Sequence, residues 1–329
     1  MNGRRQPHPY PPTMGGARGL TGAARAAHFA WGGDGETPMV RTARMVTDDI
    51  WFGEGPRWHD GRLWFGDWAE LAVRSVTRDG TLRTEVAVGD CRPSGMGWAP
   101  DGSLLYVAME KQQLRRVAAD GSVSVHADLA GLSTWLWNDM VVDAEGRAFV
   151  GEFGFDFNGE MNARGLPSVI AEHPTAKLAC VQPDGTVALA AADMHFPNGS
   201  VITPDGRTLI VAETLGRRLA AFDIGATGAL SNRRVWAELG ERTPDGVCLD
   251  AEGAVWFANP GGTDCARVAE GGEVLEVIDT GQPSFACMLG GEDGKSLFML
   301  TARWTAPGGT PTKGRILMAE VGAAHAGRP

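Results

Sequence analysis

The 329-residue chain is 43% hydrophobic and 21% charged, the composition of an ordinary globular protein. Its formal net charge of −10 argues against nucleic acid and anionic lipid as main partners, because an acidic surface repels both. No run of about 18 apolar residues occurs, so the sequence predicts no membrane span.

The first 38 residues differ in composition from the rest of the chain. They are rich in Gly, Pro, Ala and Arg, and their apolar residues show no sustained periodicity. Such a segment buries too little apolar surface to offset the entropy of ordering. We therefore predict that residues 1–38 are a disordered tail or that the true start is Met39, with one domain over residues 39–322 and a short tail at 323–329.

A repeated phrase follows, in which an apolar strand, an Asp-Gly or Glu-Gly pair and a second apolar strand succeed one another. An Asp-Gly or Glu-Gly pair between two β-rich runs is a strong hairpin signal. The turn glycines lie roughly 40 to 60 residues apart, which is close to the length of a propeller blade. The six copies are PRWHDGRLWFGD (56–67), MGWAPDGSLLYVA (96–108), MVVDAEGRAFVGE (140–152), SVITPDGRTLIVAE (200–213), VCLDAEGAVWFAN (247–259) and CMLGGEDGKSLFML (287–300).

After each hairpin the chain contains a third strand and often another turn, so each unit is a four-stranded meander. Six such units in succession predict an all-β protein, a six-bladed β-propeller. A twisted β-sandwich is the alternative, but regular repeats of this length argue against it. The third unit carries an insertion over residues 155–175, which is either a lid on the binding face or a neutral surface excursion.

Polar residues recur just before the first strand of four units, at Glu54, Asn138, Asn198 and Asp245. In a propeller these positions point toward the axis, so the four side chains should converge on one point. Carboxylate and amide oxygens suit a hard divalent cation such as calcium, whereas zinc would favour His and Cys. The competing interpretation is that Pro-Asn-Gly (197–199) and Pro-Asp-Gly (244–246) are only good turn formers.

The order and spacing of several motifs resemble the regucalcin/gluconolactonase (senescence-marker-protein) family over about residues 46–320. The motifs are FGEGPRW (52–58), NDMVVDAEGRAFVGEFG (138–154), FPNGSVITPDGRTLIVAET (196–214) and PDGVCLDAEGAVWFA (244–258). The resemblance implies a six-bladed propeller with calcium or a similar divalent ion in its channel. The family includes sugar lactonases, and relatives hydrolyse organophosphates.

Carried over by motif, the resemblance implies that Glu54, Asn198 and Asp245 are metal ligands. It further implies that Asn138 contacts the substrate or the metal, and that Asp245 is also the candidate general base or nucleophile. The expected ion is Ca²⁺, with Zn²⁺, Mg²⁺ and Mn²⁺ as alternatives.

One position departs from the family pattern. Sugar-lactonase members often have an arginine two residues before the Asn that matches Asn138, and this chain has Leu136 there. With Trp137 and Phe153 nearby in sequence, we expect a more apolar site that excludes the most hydrophilic sugar lactones, unless these aromatic residues fill the core between blades.

Two further residues are weaker candidates for substrate contact. Asp156 lies near the position where some members of the family use an acid. His195 could face the channel mouth, although a lone histidine is more often a surface or packed residue.

The resulting expectation is a metal-dependent hydrolase of a cyclic ester, with Asp245 deprotonating the attacking water. No Ser-His-Asp motif, GxSxG or P-loop favours another hydrolase chemistry. Two alternatives stay open: action on a phosphoester or secondary-metabolite intermediate, and a non-enzymatic calcium-binding propeller. Five scattered cysteines without a CxxC pair argue against a disulfide framework and favour reduced thiols in a cytoplasmic protein. The expected partner of such a hydrolase is a small-molecule substrate.

Overall fold

A computed structural model describes residues 39–303 and 312–327 of the chain. Within these residues six β-sheets form a ring, and each sheet is one blade. The prediction of an all-β, six-bladed propeller is therefore confirmed. The expectation for residues 1–38 lies outside the described residues.

The first two strands of the described residues belong to the last two blades. They are β1 (Met39–Arg41) and β2 (Arg44–Ile50). Blade one contains β3 (Gly53–His59), β4 (Arg62–Asp67), β5 (Ala72–Val76) and β6 (Leu82–Ala87). Blade two contains β7 (Pro93–Trp98), β8 (Leu104–Ala108), a 3₁₀ turn (Met109–Lys111), β9 (Gln113–Val117) and β10 (Val123–Asp128). Blade three contains β11 (Trp137–Val142), β12 (Ala148–Glu152), the helix α1 (Phe157–Ala171), β13 (Ala176–Val181) and β14 (Val187–Met194).

The second half of the ring repeats the same plan. Blade four contains β15 (Pro197–Ile202), β16 (Thr208–Glu213), β17 (Arg218–Ile224) and β18 (Leu230–Glu238). Blade five contains β19 (Val247–Leu249), β20 (Val255–Asn259), β21 (Asp264–Val268) and β22 (Val274–Asp279). Blade six contains β23 (Ser284–Gly290), β24 (Ser296–Thr301) and β25 (Gly314–Glu320).

The two ends of the described chain close the ring together. Strand β2 pairs antiparallel with β25 and becomes the outer strand of blade six, while β1 adds to β22 of blade five in parallel. Near the other end, the backbone of Ala324 and Ala326 hydrogen-bonds to residues 249 and 251 of blade five. Closure therefore depends on contacts between residues from opposite ends of the sequence.

The core lies between neighbouring blades. Every residue of β15, β16 from Leu209 onward, and β23 is buried, whereas the outer strand β18 is largely exposed. The only α-helix in the described residues, α1, has 15 residues, and none of the helices in this part of the chain is long and apolar enough to cross a membrane.

The innermost strands approach one another so closely that glycine is required beside the axis. A Cβ on Gly199 would lie 2.5 Å from the amide nitrogen of Val247, and one on Gly246 would lie 2.7 Å from the Cα of Ala286. Both neighbours are backbone atoms of the next blade, so no side-chain movement relieves the clash. Residues 197–199 lie in strand β15 rather than in a turn, so the glycine of the repeated Pro-X-Gly phrase is needed for blade packing.

We predict that Gly199→Ala lowers the free energy of unfolding by about 1 to 3 kcal/mol, since overpacking forces backbone shifts. The measurement is denaturant unfolding of the full chain. Gly131→Ala is the matched control, because nothing lies within 4 Å of a Cβ built there. Equal stability of the two variants would contradict the proposed close packing at the axis.

Candidate metal and active site

A cavity of about 170 Å³ lies at one end of the propeller axis. Four of its polar side chains each come from a different blade: Glu54, Asn138, Asn198 and Asp245, here called the axial residues. Their exposed fractions are only 4%, 2%, 4% and 6%. The structure therefore brings together the four residues that the sequence places before the inner strands.

Hairpin register explains which other residues reach the same cavity. The start of each inner strand pairs with the end of the second strand, as in Gly53 with Asp67 and Pro197 with Glu213. The residue that follows the second strand therefore lies on the same rim as the axial residue. Four such residues line the cavity: Trp68, Phe153, Thr214 and Pro260.

The last residues of the second strands hold the segments that precede the axial residues. Each side chain accepts a hydrogen bond from a backbone N–H two or three residues before the axial position. The pairs are Phe52 N to Asp67 Oδ1 (3.4 Å), His195 N to Glu213 Oε1 (2.9 Å) and Thr243 N to Asn259 Oδ1 (3.1 Å). These acceptors are the last residues of the repeated phrase (FGD, VAE, FAN), so their role could have been predicted from the repeat.

A chain of hydrogen bonds fixes the two axial amides. Ser94 Oγ donates to Asn138 Oδ1 (2.7 Å), and Asn138 Nδ2 donates to Asn198 Oδ1 (3.0 Å). Asn198 Nδ2 donates to Thr214 Oγ1 (3.3 Å), which donates to the carbonyl of Pro244 (2.7 Å). Each amide oxygen accepts one bond here and retains a second lone pair.

Three buried carboxylates crowd the axis. Burial raises the pKa of Glu54 well above its usual range, and the nearby charges of Asp245 and Asp139 raise it further. Burial and then Asp139 raise the pKa of Asp245 in the same way. Burial also raises the pKa of Asp139, but the guanidinium of Arg57, 3.8 Å away, partly offsets this.

The charges of this cluster do not balance without a further cation. Three ionised carboxylates and the single guanidinium of Arg57 leave a formal charge of −2 in a buried region. In addition, Asp245 Oδ1 is buried and has no hydrogen-bond partner. A buried, unpaired carboxylate oxygen is costly, and a cation placed against it removes that cost.

The donor set fits a hard divalent cation. The axial residues supply only carboxylate and amide oxygens, which are the ligands that calcium prefers, and no His or Cys lines the cavity. Nowhere in residues 39–303 and 312–327 do three or more His, Cys, Asp or Glu side chains form a metal-binding group by themselves. An ion at the axis would therefore be shared between two carboxylates and amides.

Comparison with known proteins agrees with this geometry. Residues 52–303 match the family described as the SMP-30/Gluconolactonase/LRE-like region. The chain belongs to this family. The family resemblance inferred from the motifs is thus confirmed.

Relatives of this SMP-30/gluconolactonase-like chain include proteins with different names. Regucalcin of Danio rerio is 29% identical over 275 residues, which cover 80% of this chain and 87% of that protein. Diisopropyl-fluorophosphatase of Loligo vulgaris is 27% identical over 254 residues, or 69% and 78% of the two chains. The crystal structure of the calcium-binding protein regucalcin from Agrobacterium tumefaciens superposes with a TM-score of 0.72 at 21% identity, covering 88% of this chain and 97% of that one.

Three predicted substrate-binding residues come from the start of blade three, and they lie in different surroundings. Phe153 lines the cavity and stacks on Phe196, with ring centroids 4.7 Å apart. Trp137 is fully buried and packs in the core between blades, and the partly buried Leu136 packs against the same core. Neither Leu136 nor Trp137 is among the residues that line the cavity.

The other two predicted substrate-binding residues have structural partners. Asp156 is exposed and caps α1 by accepting a hydrogen bond from Gly159 N (2.9 Å). His195 Nδ1 lies 3.0 Å from His173 Nε2 and so ties the end of the insertion to the segment before Asn198. Asp156 and His195 do not line the cavity.

The insertion of blade three forms part of the cavity wall. Its helix α1 contributes Phe157, Asn158, Met161 and Leu166 to the lining. The sequence analysis did not identify these residues, nor Phe52, Phe196 and Thr243, which lie two residues before an axial residue. Phe52, Phe196 and Thr243 occupy the position in their blades that Leu136 occupies in blade three. This shared position could have identified them from the sequence.

We predict that the pH dependence of stability reverses when the divalent ion is removed. In metal-free protein the raised pKa values of Glu54, Asp139 and Asp245 mean that the native state binds more protons than the unfolded state. That stabilisation is present below about pH 4, the usual pKa of these groups, and is lost as pH rises through the raised values. Thermal melting between pH 5 and 8 in chelator should therefore show falling stability, and added Ca²⁺ should stabilise most at high pH.

The variant Asp245→Asn provides the control for this titration, because it removes one of the three carboxylates while keeping the shape of the side chain. Its pH dependence in chelator should be weaker than that of the unmodified chain. A chelated protein whose stability is independent of pH, or a calcium effect of equal size at pH 5 and 8, would contradict the prediction.

Proposed function

We propose that this chain hydrolyses a cyclic ester with the help of one divalent cation, most simply Ca²⁺, held at the axial residues. The observation that carries the proposal is the buried Asp245 carboxylate, whose Oδ1 has no hydrogen-bond partner among the described residues. Membership in a family whose name includes gluconolactonase supports a lactone as the substrate. The regucalcin relatives support calcium.

In this proposal Glu54, Asn198 and Asp245 hold the ion, and Asn138 contacts the substrate or the ion. When bound, the ion would act as a Lewis acid that polarises the ester carbonyl. The hydrogen-bond chain from Ser94 to Pro244 keeps the amides of Asn138 and Asn198 in place. One N–H of Asn138 is used in that chain, so its other N–H is available for the substrate.

Asp245 would handle the proton. Its carboxylate takes a proton from water as the water oxygen attacks the carbonyl carbon of the lactone. The bond between that carbon and the ring oxygen then breaks, and the ring oxygen leaves as a hydroxyl after receiving the proton from Asp245. A carboxylate held beside the attacking water is a suitable general base.

A phosphoester is the second candidate substrate. Its support is the 27% identity to diisopropyl-fluorophosphatase. The same oxygen ligands and the same carboxylate would serve attack at phosphorus, so the axial residues alone do not distinguish the two reactions.

The proposal is tested by metal analysis of the purified full chain together with hydrolysis assays with and without chelator. The panel contains lactones of different polarity, a phosphotriester and a dialkyl fluorophosphate. Chelator-sensitive opening of a lactone is the expected result. Hydrolysis of the phosphorus compounds alone would favour the second candidate, and a chain that binds calcium but turns over no substrate would favour a non-enzymatic calcium-binding propeller.

We predict that Asp245→Asn loses the base but keeps a metal-binding oxygen. The fold should survive, because blade four already has Asn before the corresponding glycine, at Asn198. Loss of a general base lowers kcat by typically about 10²- to 10⁴-fold, and saturating Ca²⁺ should not restore it. Glu54→Gln should act through metal affinity instead, so that excess Ca²⁺ partly restores its rate.

The matched control is Asp205→Asn, which makes the same chemical change in an exposed turn of blade four. It should leave both the rate and the calcium dependence unchanged. Full recovery of Asp245→Asn at saturating calcium would make Asp245 a ligand only, and the base would have to be sought elsewhere.

A further inference from the structure

Beyond the axial residues, most of the lining of the axial cavity is apolar. These residues come from blades one, three, four and six and from α1: Phe52, Trp68, Phe153, Phe157, Met161, Leu166, Phe196, Leu215 and Phe285. We infer that the substrate is a lactone whose ring carries an apolar alkyl or aryl arm, and that the arm lies between α1 and these rings. The inference rests on the proposed function for the ester but assigns the substrate class from a separate set of residues.

The helix α1 presents an apolar pair to the cavity and its opposite face to solvent. Phe157 and Met161 are four residues apart and therefore lie on one face of the helix, and both line the cavity. The residues on the opposite face, Gly159, Asn162 and Ala163, are exposed. The helix is thus oriented so that its apolar face covers whatever occupies the cavity.

The aromatic rings that line the cavity, here called the aromatic wall, pack against one another. The ring of Phe196 lies 4.7 Å from that of Phe153 and 4.8 Å from that of Phe157, measured between centroids. Opposite them, Phe52 lies 4.7 Å from both Trp68 and Phe285. Rings packed in this way lose little freedom when an apolar group binds, and they offer a flat surface to an aryl group.

The cavity has few groups that could satisfy a polyhydroxylated ring. Among the described residues that line it there is no arginine, lysine or histidine, and beyond the axial residues the polar side chains are only Asn158, Thr214 and Thr243. The hydroxyl of Thr214 already donates to Pro244 O, and that of Thr243 is 3.3 Å from Asn259 Oδ1. Sugar hydroxyls buried here would lose their bonds to water without an equivalent replacement, which disfavours their binding.

The volume of the cavity limits the length of the arm that fits inside it. A cavity of about 150 Å³ is large enough to hold a benzene molecule. At about 170 Å³ the cavity accepts a small lactone ring with a short arm rather than a long acyl chain. The geometry therefore places the reacting ester at the axial residues and the arm against the aromatic wall and α1.

The experiment compares γ-lactones with arms of zero to four carbons, and with glucono-δ-lactone, in the full chain with Ca²⁺. We expect kcat/KM to rise by about fourfold per added methylene until the arm fills the cavity, and glucono-δ-lactone to be the poorest substrate. A second readout needs no chemistry: 2-alkylcyclopentanones cannot be hydrolysed, and their binding is followed by the fluorescence of Trp68 and the other tryptophans, with calcium and in chelator.

Two variants of α1 distinguish effects on binding of the arm from effects on hydrolysis of the ester. Met161→Gln keeps the length of a side chain that lines the cavity but makes it polar. It should weaken binding and turnover of the longest alkyl ligand about tenfold and those of γ-butyrolactone by a smaller factor. Asn162→Gln is the matched control on the exposed side of the same helix and should affect neither. Melting temperatures establish that both variants fold.

The outcomes distinguish failure of this inference from failure of the proposed function. Efficient turnover of glucono-δ-lactone with poor turnover of alkyl lactones would overturn the inference and leave the lactonase proposal intact. Binding of alkylcyclopentanones that Met161→Gln weakens, without hydrolysis of any lactone, would support the apolar subsite and refute the hydrolase. A chain that neither binds the ketones nor prefers alkyl lactones would refute the subsite.

Discussion

The close approach of six inner strands around one axis is the constraint on which the candidate site depends. At Gly199 and Gly246 the backbone of the next blade occupies the space that a Cβ would need. The residue just before each of these glycines has a side chain, and crowding leaves it only the direction along the axis toward the cavity. Packing of the blades therefore sets the convergence of the axial residues before any ligand is considered.

The same packing makes that convergence electrostatically unstable without a cation. In blade three the position after the axial residue is Asp139 rather than glycine, which adds a third carboxylate to those of Glu54 and Asp245. Burial strengthens their mutual repulsion because the protein interior screens charge less well than water. Arg57, which also donates to the carbonyl of Met140, offsets only one of the three charges. A dication is the simplest way to restore neutrality.

The sequence predicted those features that repeat and missed those that do not. The hairpin phrase recurs six times, so the blades and the register of the axial residues could be derived from one pattern. Trp137 could not be placed in this way, because adjacent residues of a strand point to opposite faces and sequence proximity to Asn138 says nothing about which face they share. Leu136 has the register of Phe52 and Phe196 but packs against the core instead of lining the cavity, so register alone does not place it. Within the aromatic wall the ring residues follow shared registers, whereas the helix inserted once in blade three has no counterpart in the other blades.

Different parts of the propeller hold the axial residues and the rim of the cavity. The axial residues are held by the strands themselves and can change little without disturbing blade packing. The rim is held by loops and by α1, whose end is tied through His173 and His195 to the segment before Asn198. Changes in the insertion can therefore alter the shape and polarity of the cavity while the axial oxygens stay in place. Under the proposed function, the axial residues would carry the reaction and the rim would set the choice of substrate.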